Sequence, residues 1–334
     1  MIRDARALAP EFVPEELWHR DGQIDALSAA LRPLADGLTG EDVIITGPSG
    51  VGKTTLARHV VQQLERESFA VESGYVNCIS DSTKSGALSQ LLRSAGRAAD
   101  LRIEGTPTSV FIDRFRELES QFVAIIDEVD ILDDPLLLLS LYELPAVTMV
   151  LITVDEDDLL ADLDSRVQSR LRGAQRLHLE KYHHAELCDI LQARAEIGLG
   201  HRVVEETVIE RIADVAAGDA RTGIVLLRRA VQHAQESGRN WVSESDVDAS
   251  REPAQREIHE RNVATLSTHQ RVLYEIVKEA GQIGAHELHE RYEERVSTPR
   301  SQASRRRYLR GLERYKMIRK YGTGRGSRYE YVGY

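Results

Sequence analysis

The segment Gly47–Thr54 constrains the fold more than any other part of the chain, because it matches the pattern G-x-x-x-x-G-K-[ST]. An apolar run at residues 43–46 precedes it, and apolar residues at helical spacing follow it over residues 53–67. A loop between a buried strand and a helix can wrap its backbone N–H groups around phosphates, and the helix N-terminus adds its positive end. The sequence therefore predicts a P-loop type phosphate site in an α/β domain.

The loop also supplies the residues expected to bind a nucleotide. Lys53 would reach the β- and γ-phosphates, and the Thr54 hydroxyl would ligate Mg²⁺. The other positions expected to bind nucleotide are Gly47, Pro48, Ser49, Gly50, Val51, Gly52 and Thr55. The predicted cofactors are ATP or ADP together with Mg²⁺.

A second motif follows 74 residues after Lys53, where an apolar run at residues 122–126 leads into Asp127 and Glu128. A carboxylate at the end of a buried strand is a typical contributor to the Mg²⁺ shell of such sites, so Asp127 is predicted as a metal ligand beside Thr54. Glu128 is predicted to orient or activate the attacking water.

Strand and helix signals alternate up to about residue 180, and only helical signals follow. Four strands are predicted, at residues 43–46, 75–79, 122–126 and 148–154. Four helices are predicted next, at residues 183–197, 205–217, 220–236 and 243–250. The first pattern indicates a mostly parallel sheet with helices on both faces, and the second indicates a small all-helical domain. The polar segment 251–262, which contains Pro253, is either a linker or the start of a connecting helix.

The last 70 residues have the order helix, helix, basic helix and hairpin, which is typical of a winged helix-turn-helix. Thr268 is predicted to cap the first helix. Thr298 followed by Pro299 is predicted to start the third, which would end near Tyr315. The chain is thus predicted to contain three domains, at residues 1–180, 181–252 and 253–334.

The C-terminal domain also concentrates positive charge. The chain carries −11 overall, but residues 297–334 carry +9 and the remainder −20. On the third helix Arg306, Arg310 and Arg314 recur every four residues, which predicts an outward basic face for duplex DNA. The full set of predicted DNA contacts is Arg305, Arg306, Arg310, Arg314, Arg325 and Arg328.

Other features exclude several classes of protein. Two cysteines cannot form a disulfide framework, which favours a reducing compartment. The N-terminus has no apolar signal-peptide core, and the most apolar window, residues 135–154, contains two prolines and Glu143. His183, His184 and Cys188 could suggest a metal site, since His184 and Cys188 share a helix face. No fourth ligand is in sequence reach, so a metal site there is disfavoured. We expect a cytoplasmic, nucleoid-associated protein with no membrane contact.

Taken together, the motifs resemble the AAA+ ATPases, and more narrowly the archaeal initiators of the origin-recognition/cell-division-cycle family. The matching segments are Val13-Pro14-Glu15, His19-Arg20, residues 75–78, the IIDEVD run at 125–130, residues 163–170, Gly218-Asp-Ala-Arg221 and the C-terminal winged helix. The acidic, arginine-rich composition, with six lysines and 37 arginines, resembles that of proteins from salt-adapted archaea.

The resemblance implies roles for individual residues. His19 and Arg20 would lie near the adenine, and Arg221 would sense the γ-phosphate from the helical domain, called the lid. Arg170 would be an arginine finger that reaches a neighbouring subunit's site, with Arg166 as second choice, which implies self-association on DNA. Residues 84–118 would add DNA contacts from the ATPase domain.

One departure from the family pattern concerns the end of the strand after the Asp-Glu motif, where the family usually has an asparagine. Val154 occupies that position, with Thr153 and Asp155 as possible substitutes. Without a polar group there, the attacking water loses a positioning contact, so ATP binding is better supported than hydrolysis and we expect at most slow ATPase activity.

The function that the resemblance implies is ATP-dependent recognition of replication origins, with recruitment or loading of the replicative helicase. The alternative is a DNA-binding transcription regulator or accessory paralogue that uses ATP as a switch and loads no helicase.

Overall fold

The computed structural model describes residues 1–161 and 163–333, apart from the side chain of Arg325. Five strands form a parallel sheet: β1 (Val43–Thr46), β2 (Val71–Asn77), β3 (Gln121–Asp127), β4 (Val147–Ile152) and β5 (Gln175–His178). Their spatial order is β2-β3-β4-β1-β5. All carboxyl ends lie on one edge of the sheet, so the P-loop after β1 and Asp127 at the end of β3 come together.

Helices cover both faces of this sheet, as predicted. They are α1 (Asp21–Leu31), α2 (Lys53–Glu67), α3 (Lys84–Ser94), α4 (Thr108–Arg116), α5 (Leu136–Tyr142), α6 (Glu156–Ala161) and α7 (Ser165–Leu171). Successive residues of a strand point to opposite faces. Val43 and Ile45 therefore pack with α1 and α2, whereas Ile44 packs in the core on the other face.

The second unit is helical: α8 (His184–Gly198), α9 (Glu206–Ala216), α10 (Ala220–Glu236) and α11 (Glu244–Thr265). The segment 251–262 is a continuation of α11, so the predicted boundary at 252/253 falls inside one helix. Pro253 does not end this helix, because Ala254 and His259 are buried and Glu257 pairs with Arg228 and Arg229 of α10.

The N-terminal segment lies against this helical unit. Ile2 forms an isolated β-bridge with Leu199, and the Leu8 side chain is buried in the helical core. The Arg194 guanidinium donates to the carbonyl oxygens of Ala7 (3.1 Å) and Phe12 (2.9 Å). The segment before α1 is therefore bound to the lid.

The C-terminal domain contains α12 (Thr268–Ala280), β6 (Gln282–Gly284), α13 (Ala285–Arg295), α14 (Gln302–Arg314), β7 (Ile318–Tyr321) and β8 (Arg328–Tyr331). The three strands form an antiparallel sheet in the order β6-β8-β7, as in a winged helix-turn-helix. No helix within the described residues is long and apolar enough to cross a membrane.

Both predicted helix starts in this domain are wrong by one or more residues. Ser267, not Thr268, caps α12 and forms a reciprocal capping box with Gln270. Ser301 caps α14, because its hydroxyl accepts from the Ser304 N–H at 3.1 Å, and the helix begins three residues after Pro299.

The C-terminal domain packs directly on the sheet domain through α14. The Arg307 guanidinium donates to the carbonyl oxygens of Leu132 (2.6 Å) and Asp133 (3.2 Å), and the Tyr308 hydroxyl donates to the Asp133 carboxylate. A Cβ placed at Gly311 would lie 3.0 Å from Ile131, so glycine permits this close approach. The residues next to Asp127 are therefore covered by the C-terminal domain.

Candidate functional site

The P-loop has backbone angles that favour glycine at three positions. Gly47, Gly50 and Gly52 have φ values of 139°, 79° and 88°. A Cβ at Gly47 would lie 2.1 Å from the Leu179 carbonyl oxygen, so the loop approaches the backbone after β5 too closely for any side chain. Helix α2 begins directly after the loop, which places its N-terminus at the site.

Lys53 is buried at the start of α2, with 6% of its surface exposed. Its Nζ donates to the carbonyl oxygens of Gly47 (2.6 Å) and Pro48 (2.8 Å). Burial lowers the pKa of Lys53, and the nearby carboxylates of Glu128 and Asp127 oppose that change. The ammonium is therefore held at the loop by backbone carbonyl groups.

Thr54 and Asp127 lie side by side, although 73 residues separate them. The Thr54 hydroxyl donates to Asp127 Oδ2 at 2.6 Å, and the Tyr75 hydroxyl donates to the same oxygen at 3.0 Å. The Arg58 guanidinium lies 3.8 Å above the Tyr75 ring. A hydroxyl and a carboxylate are hard oxygen donors of the kind that Mg²⁺ prefers, so the residues present fit that ion.

A cavity of about 900 Å³ opens beside these groups. Its walls come from the P-loop, the carboxyl edge of the sheet, the lid and the N-terminal segment. The predicted site residues among its lining are Arg20, Ser49, Gly50, Gly52, Lys53, Thr54, Thr55, Asp127, Glu128 and Arg221. This volume is within the range of small-molecule and cofactor pockets and fits a nucleotide.

The structure separates the two residues expected near the adenine. Arg20 lines the cavity, and its guanidinium lies 4.0 Å from the Tyr182 ring centroid and donates to the carbonyl oxygens of Val51 and Glu180. His19 does not line the cavity, because its Nε2 lies 2.7 Å from Asp189 Oδ2 on α8. No sequence pattern points to Tyr182, the aromatic partner of Arg20.

The lid reaches the P-loop through the start of α10. The Ala220 N–H donates to the Gly50 carbonyl oxygen at 3.0 Å, and Asp219 caps the helix by accepting from the Thr222 N–H at 2.9 Å. Arg221, the next residue after this contact, lines the same cavity as Lys53. The structure therefore brings the predicted lid arginine to the phosphate side of the cavity.

The two candidate arginine fingers lie elsewhere, on α7. Arg170 is exposed, with its guanidinium 5.3 Å from the Tyr142 ring centroid, and Arg166 pairs with Asp164 at 2.9 Å. Neither lines the cavity of its own chain.

The polar side chains at the end of β4 form hydrogen bonds with groups outside the P-loop. The buried Thr153 hydroxyl lies 2.8 Å from Asp130 Oδ1, and Asp155 accepts from the N–H groups of Asp157 and Asp158 at the start of α6. Val154 is apolar. Both candidate substitutes for the family's asparagine are therefore engaged with other groups.

Glu128 is expected from the sequence to face the attacking water, but its carboxylate is hydrogen-bonded to the C-terminal domain. Its φ is 53°, in the left-handed region, and its carboxylate accepts from the Tyr315 hydroxyl at 2.6 Å and from Arg314 at 3.0 Å. Burial and the charge of Asp127 raise the pKa of Glu128, and the charge of Arg314 opposes them. Sequence spacing places Tyr315 on an inward face but does not reveal that its partner belongs to another domain.

The outward basic face is narrower than predicted. Arg306 is exposed and, with the half-buried Arg310 and the exposed Lys320, lines a shallow groove between α14 and the β7–β8 hairpin. Arg328 is also exposed. The side chain of Arg325, a further predicted contact, is outside the described part of the structure.

Two of the predicted DNA contacts are paired within the fold: Arg314, which the spacing predicts on the outward face, and Arg305. Arg314 pairs with Glu128 and Asp130, and Arg305 is 4% exposed and pairs with Glu293 on α13. At about 100° per residue, a four-residue spacing drifts by about 40° per step, so Arg314 lies about 80° around the helix from Arg306 and meets the sheet domain.

Comparisons with known proteins agree with this architecture. A family model described as an AAA ATPase domain matches residues 16–153, and one described as a Cdc6 AAA+ ATPase-type lid domain matches residues 188–252. ORC1-type DNA replication protein 9 of Halobacterium salinarum is 38% identical over 333 residues, which cover 99% of this chain and 94% of that protein. ORC1-type DNA replication protein 1 of the same organism is 40% identical over 302 residues, covering 90% and 98%.

Solved structures of archaeal ORC proteins are also similar to this chain over nearly its whole length. The structure of the Aeropyrum pernix ORC1 protein in complex with DNA has a TM-score of 0.73 and 25% identity, covering 98% of this chain and 92% of that one. The ADPNP-ADP complexes of the Aeropyrum pernix ORC2 protein give a TM-score of 0.66 and 25% identity, covering 99% and 94%. The chain therefore belongs to the family of ORC1-type DNA replication proteins, as an AAA+ ATPase with a Cdc6-type lid.

Proposed function

We propose that this protein binds duplex DNA at replication origins under the control of ATP, and that it then recruits or loads the replicative helicase. The observation that carries the proposal is that contacts run without a break from the cavity to the basic surface. Glu128 lines the cavity and accepts a hydrogen bond from Arg314 of α14. The same helix carries Arg306 and Arg310 on its outer side. The DNA complex of the Aeropyrum pernix ORC1 protein, at 25% identity over nearly the whole chain, supports the DNA-binding part.

The nucleotide half of the mechanism follows from the positions of the side chains. The P-loop N–H groups and Lys53 would bind the phosphates, and Thr54 with Asp127 would hold Mg²⁺, which supplies charge neutralisation when it is bound. Arg221, attached to the P-loop by the Ala220–Gly50 hydrogen bond, would favour the closed lid when a γ-phosphate is present. Hydrolysis would be slow, because Thr153 and Asp155 are bonded elsewhere and Val154 cannot orient water.

The DNA half rests on α14 and the hairpin. Arg306, Lys320 and Arg328 are exposed on the C-terminal domain, whose terminal segment carries a charge of +9 on an otherwise acidic chain. An acidic body repels the DNA backbone, so contact is directed to this domain. Arg170, exposed on α7, is available to a neighbouring copy if the protein assembles on DNA.

The experiment is a DNA-binding titration of labelled origin duplex with ATP and with ADP, at several salt concentrations. The wild-type protein should bind more tightly with ATP, and Lys53→Ala should remove the difference. Lys181→Ala is the matched control, since Lys181 is exposed outside the cavity and its Nζ donates to the Ala217 carbonyl oxygen. An unchanged nucleotide effect in Lys53→Ala contradicts the proposed switch.

Helicase recruitment needs a separate measurement. Pull-down from cell extract with the ATP-bound protein on DNA should recover the replicative helicase. DNA binding without helicase recovery would favour the alternative, a transcription regulator built from the same parts.

A further inference from the structure

Glu128 is hydrogen-bonded to the C-terminal domain, a contact that neither ATP binding nor DNA binding by itself requires. Both carboxylate oxygens of Glu128 are engaged: Oε1 accepts from the Tyr315 hydroxyl at 2.6 Å, and Oε2 accepts from Arg314 Nη1 at 3.0 Å. Arg314 is the last residue of α14 and Tyr315 is its C-cap, and Arg314 is 186 residues away from Glu128 in sequence.

The contact extends beyond Glu128. Arg314 Nη2 lies 2.7 Å from Asp130 Oδ2, and the other Asp130 oxygen accepts from Thr153 at the end of β4. The side chains of Arg314, Glu128 and Asp130 are 13%, 10% and 7% exposed, so little solvent screens these charges. One arginine thus holds together the end of β3, the end of β4 and the C-terminal domain.

A general base must accept a proton from water, and for that it needs an oxygen within hydrogen-bond reach of the water. The Glu128 carboxylate accepts one hydrogen bond on each oxygen from the C-terminal domain, on a backbone with φ of 53°, so its direction is fixed by these two donors. Such a conformation persists in a non-glycine residue only where surrounding contacts hold it. The contacts here are the two donors from the C-terminal domain, the Glu128 N–H bond to Asp127 Oδ1 (3.0 Å) and the Ile131 N–H bond to the Glu128 carbonyl oxygen (3.0 Å).

Helix α14 links this contact to the opposite surface. Arg306 and Arg310 lie on its groove side, while Arg307, Tyr308 and Arg314 lie on its sheet-domain side. The sheet-domain side is joined by ion pairs, by hydrogen bonds to the 132–133 backbone and by apolar packing in a core that the two domains share. A force on the groove side of α14 therefore acts on an interface that contains Glu128.

We propose that Arg314 and Tyr315 are positioning residues that restrain Glu128, so that ATP hydrolysis requires α14 to move away from the end of β3. DNA on the groove side of α14 is the partner that moves it. This inference rests on the proposed function, because it requires that the site binds ATP and that α14 meets DNA. Binding linkage is reciprocal: if DNA favours the release of Glu128 from α14, then a nucleotide that binds better to the released state also raises the affinity for DNA.

The test is steady-state ATPase activity of the full chain with Mg²⁺, without DNA and with sheared genomic duplex. Tyr315→Phe and Arg314→Ala should each raise the DNA-free kcat about tenfold with little change in KM, a fraction of the roughly 10²–10⁴-fold that a positioned base supplies. DNA should stimulate the wild-type protein and stimulate these variants much less. Tyr315→Phe decides the outcome if Arg314→Ala fails to fold.

Matched controls exist in the same domain. Tyr274→Phe removes a buried tyrosine hydroxyl that bonds His259, and Arg295→Ala removes an arginine paired with Glu279. Neither residue lies at the cavity, so both variants should keep the wild-type kcat and DNA stimulation.

The results separate the inference from the proposed function. A DNA-free kcat in Tyr315→Phe that is unchanged or lower overturns the restraint, and equal DNA stimulation in wild type and variant overturns the link to DNA. If a fluorescent ATP analogue binds the wild-type protein in those cases, only the inference fails. Absence of analogue binding by the wild-type protein overturns both.

Discussion

Replacing Gly50 by alanine tests whether the lid closes on the P-loop as the structure has it. Gly50 has a φ of 79°, and an added Cβ would lie 2.0 Å from Asp219 Oδ1, the oxygen that caps α10. Left-handed backbone costs a non-glycine residue about 1–2 kcal/mol, and loss of a helix cap costs about 0.5–2 kcal/mol. We expect Gly50→Ala to lower the free energy of unfolding by about 1.5–4 kcal/mol and to weaken ATP binding, because Arg221 follows that cap.

The matched control is Gly238→Ala. Gly238 has a similar φ of 71°, but an added Cβ there would meet nothing within 4 Å, so alanine adds only the backbone cost, about 1–2 kcal/mol. Urea unfolding followed by circular dichroism, and titration with a fluorescent ATP analogue, compare the two variants. Equal stability losses, or an equal ATP affinity in both, would refute the argument that Asp219 meets the loop.

Three further predictions use other parts of the chain. Burial raises the pKa of Asp246, but hydrogen bonds from Arg239 and Ser243 outweigh burial and lower it. Its stabilising effect is therefore complete at neutral pH, begins to decline below about pH 4 and is lost only as the pH falls through the lowered folded-state pKa. Asp246→Asn should cost about 2–3 kcal/mol at pH 7, and urea midpoints should show this cost shrinking steadily as the pH falls below about 4. Arg306→Ala should weaken DNA binding and reduce the salt dependence of log Kd by about one, and an unchanged slope in a salt titration would remove Arg306 from the DNA face. Arg221→Ala should lower ATP affinity while ADP affinity changes less, and an equal loss for both nucleotides would contradict γ-phosphate sensing.

The features that sequence predicts well depend on local patterns. The strand at 43–46, the loop and α2 adjoin one another, so their spacing alone places Lys53 and Thr54. Asp127 is predictable because parallel strands end on one edge of the sheet. Strand β5, Gln175–His178, is missed because its four residues include three polar ones and only Leu177 is buried.

The features that sequence misses depend on contacts between distant segments. The continuation of α11 through Pro253 is stabilised by Glu257 pairing with two arginines of α10, which local propensity cannot reveal. Arg314 follows the spacing of a DNA-facing arginine, yet helical drift turns it toward Glu128 and Asp130. Charge counting predicts that a basic domain meets a polyanion, but it cannot distinguish arginines that face DNA from those paired within the fold.

We propose that this protein binds DNA at replication origins under the control of ATP. The most direct measurement is genome-wide crosslinking and sequencing of its bound sites, compared with replication-start maps from the same cells and repeated with Lys53→Ala. We expect bound sites to coincide with replication starts, and Lys53→Ala to lose that occupancy. Occupancy confined to promoters would contradict the claim.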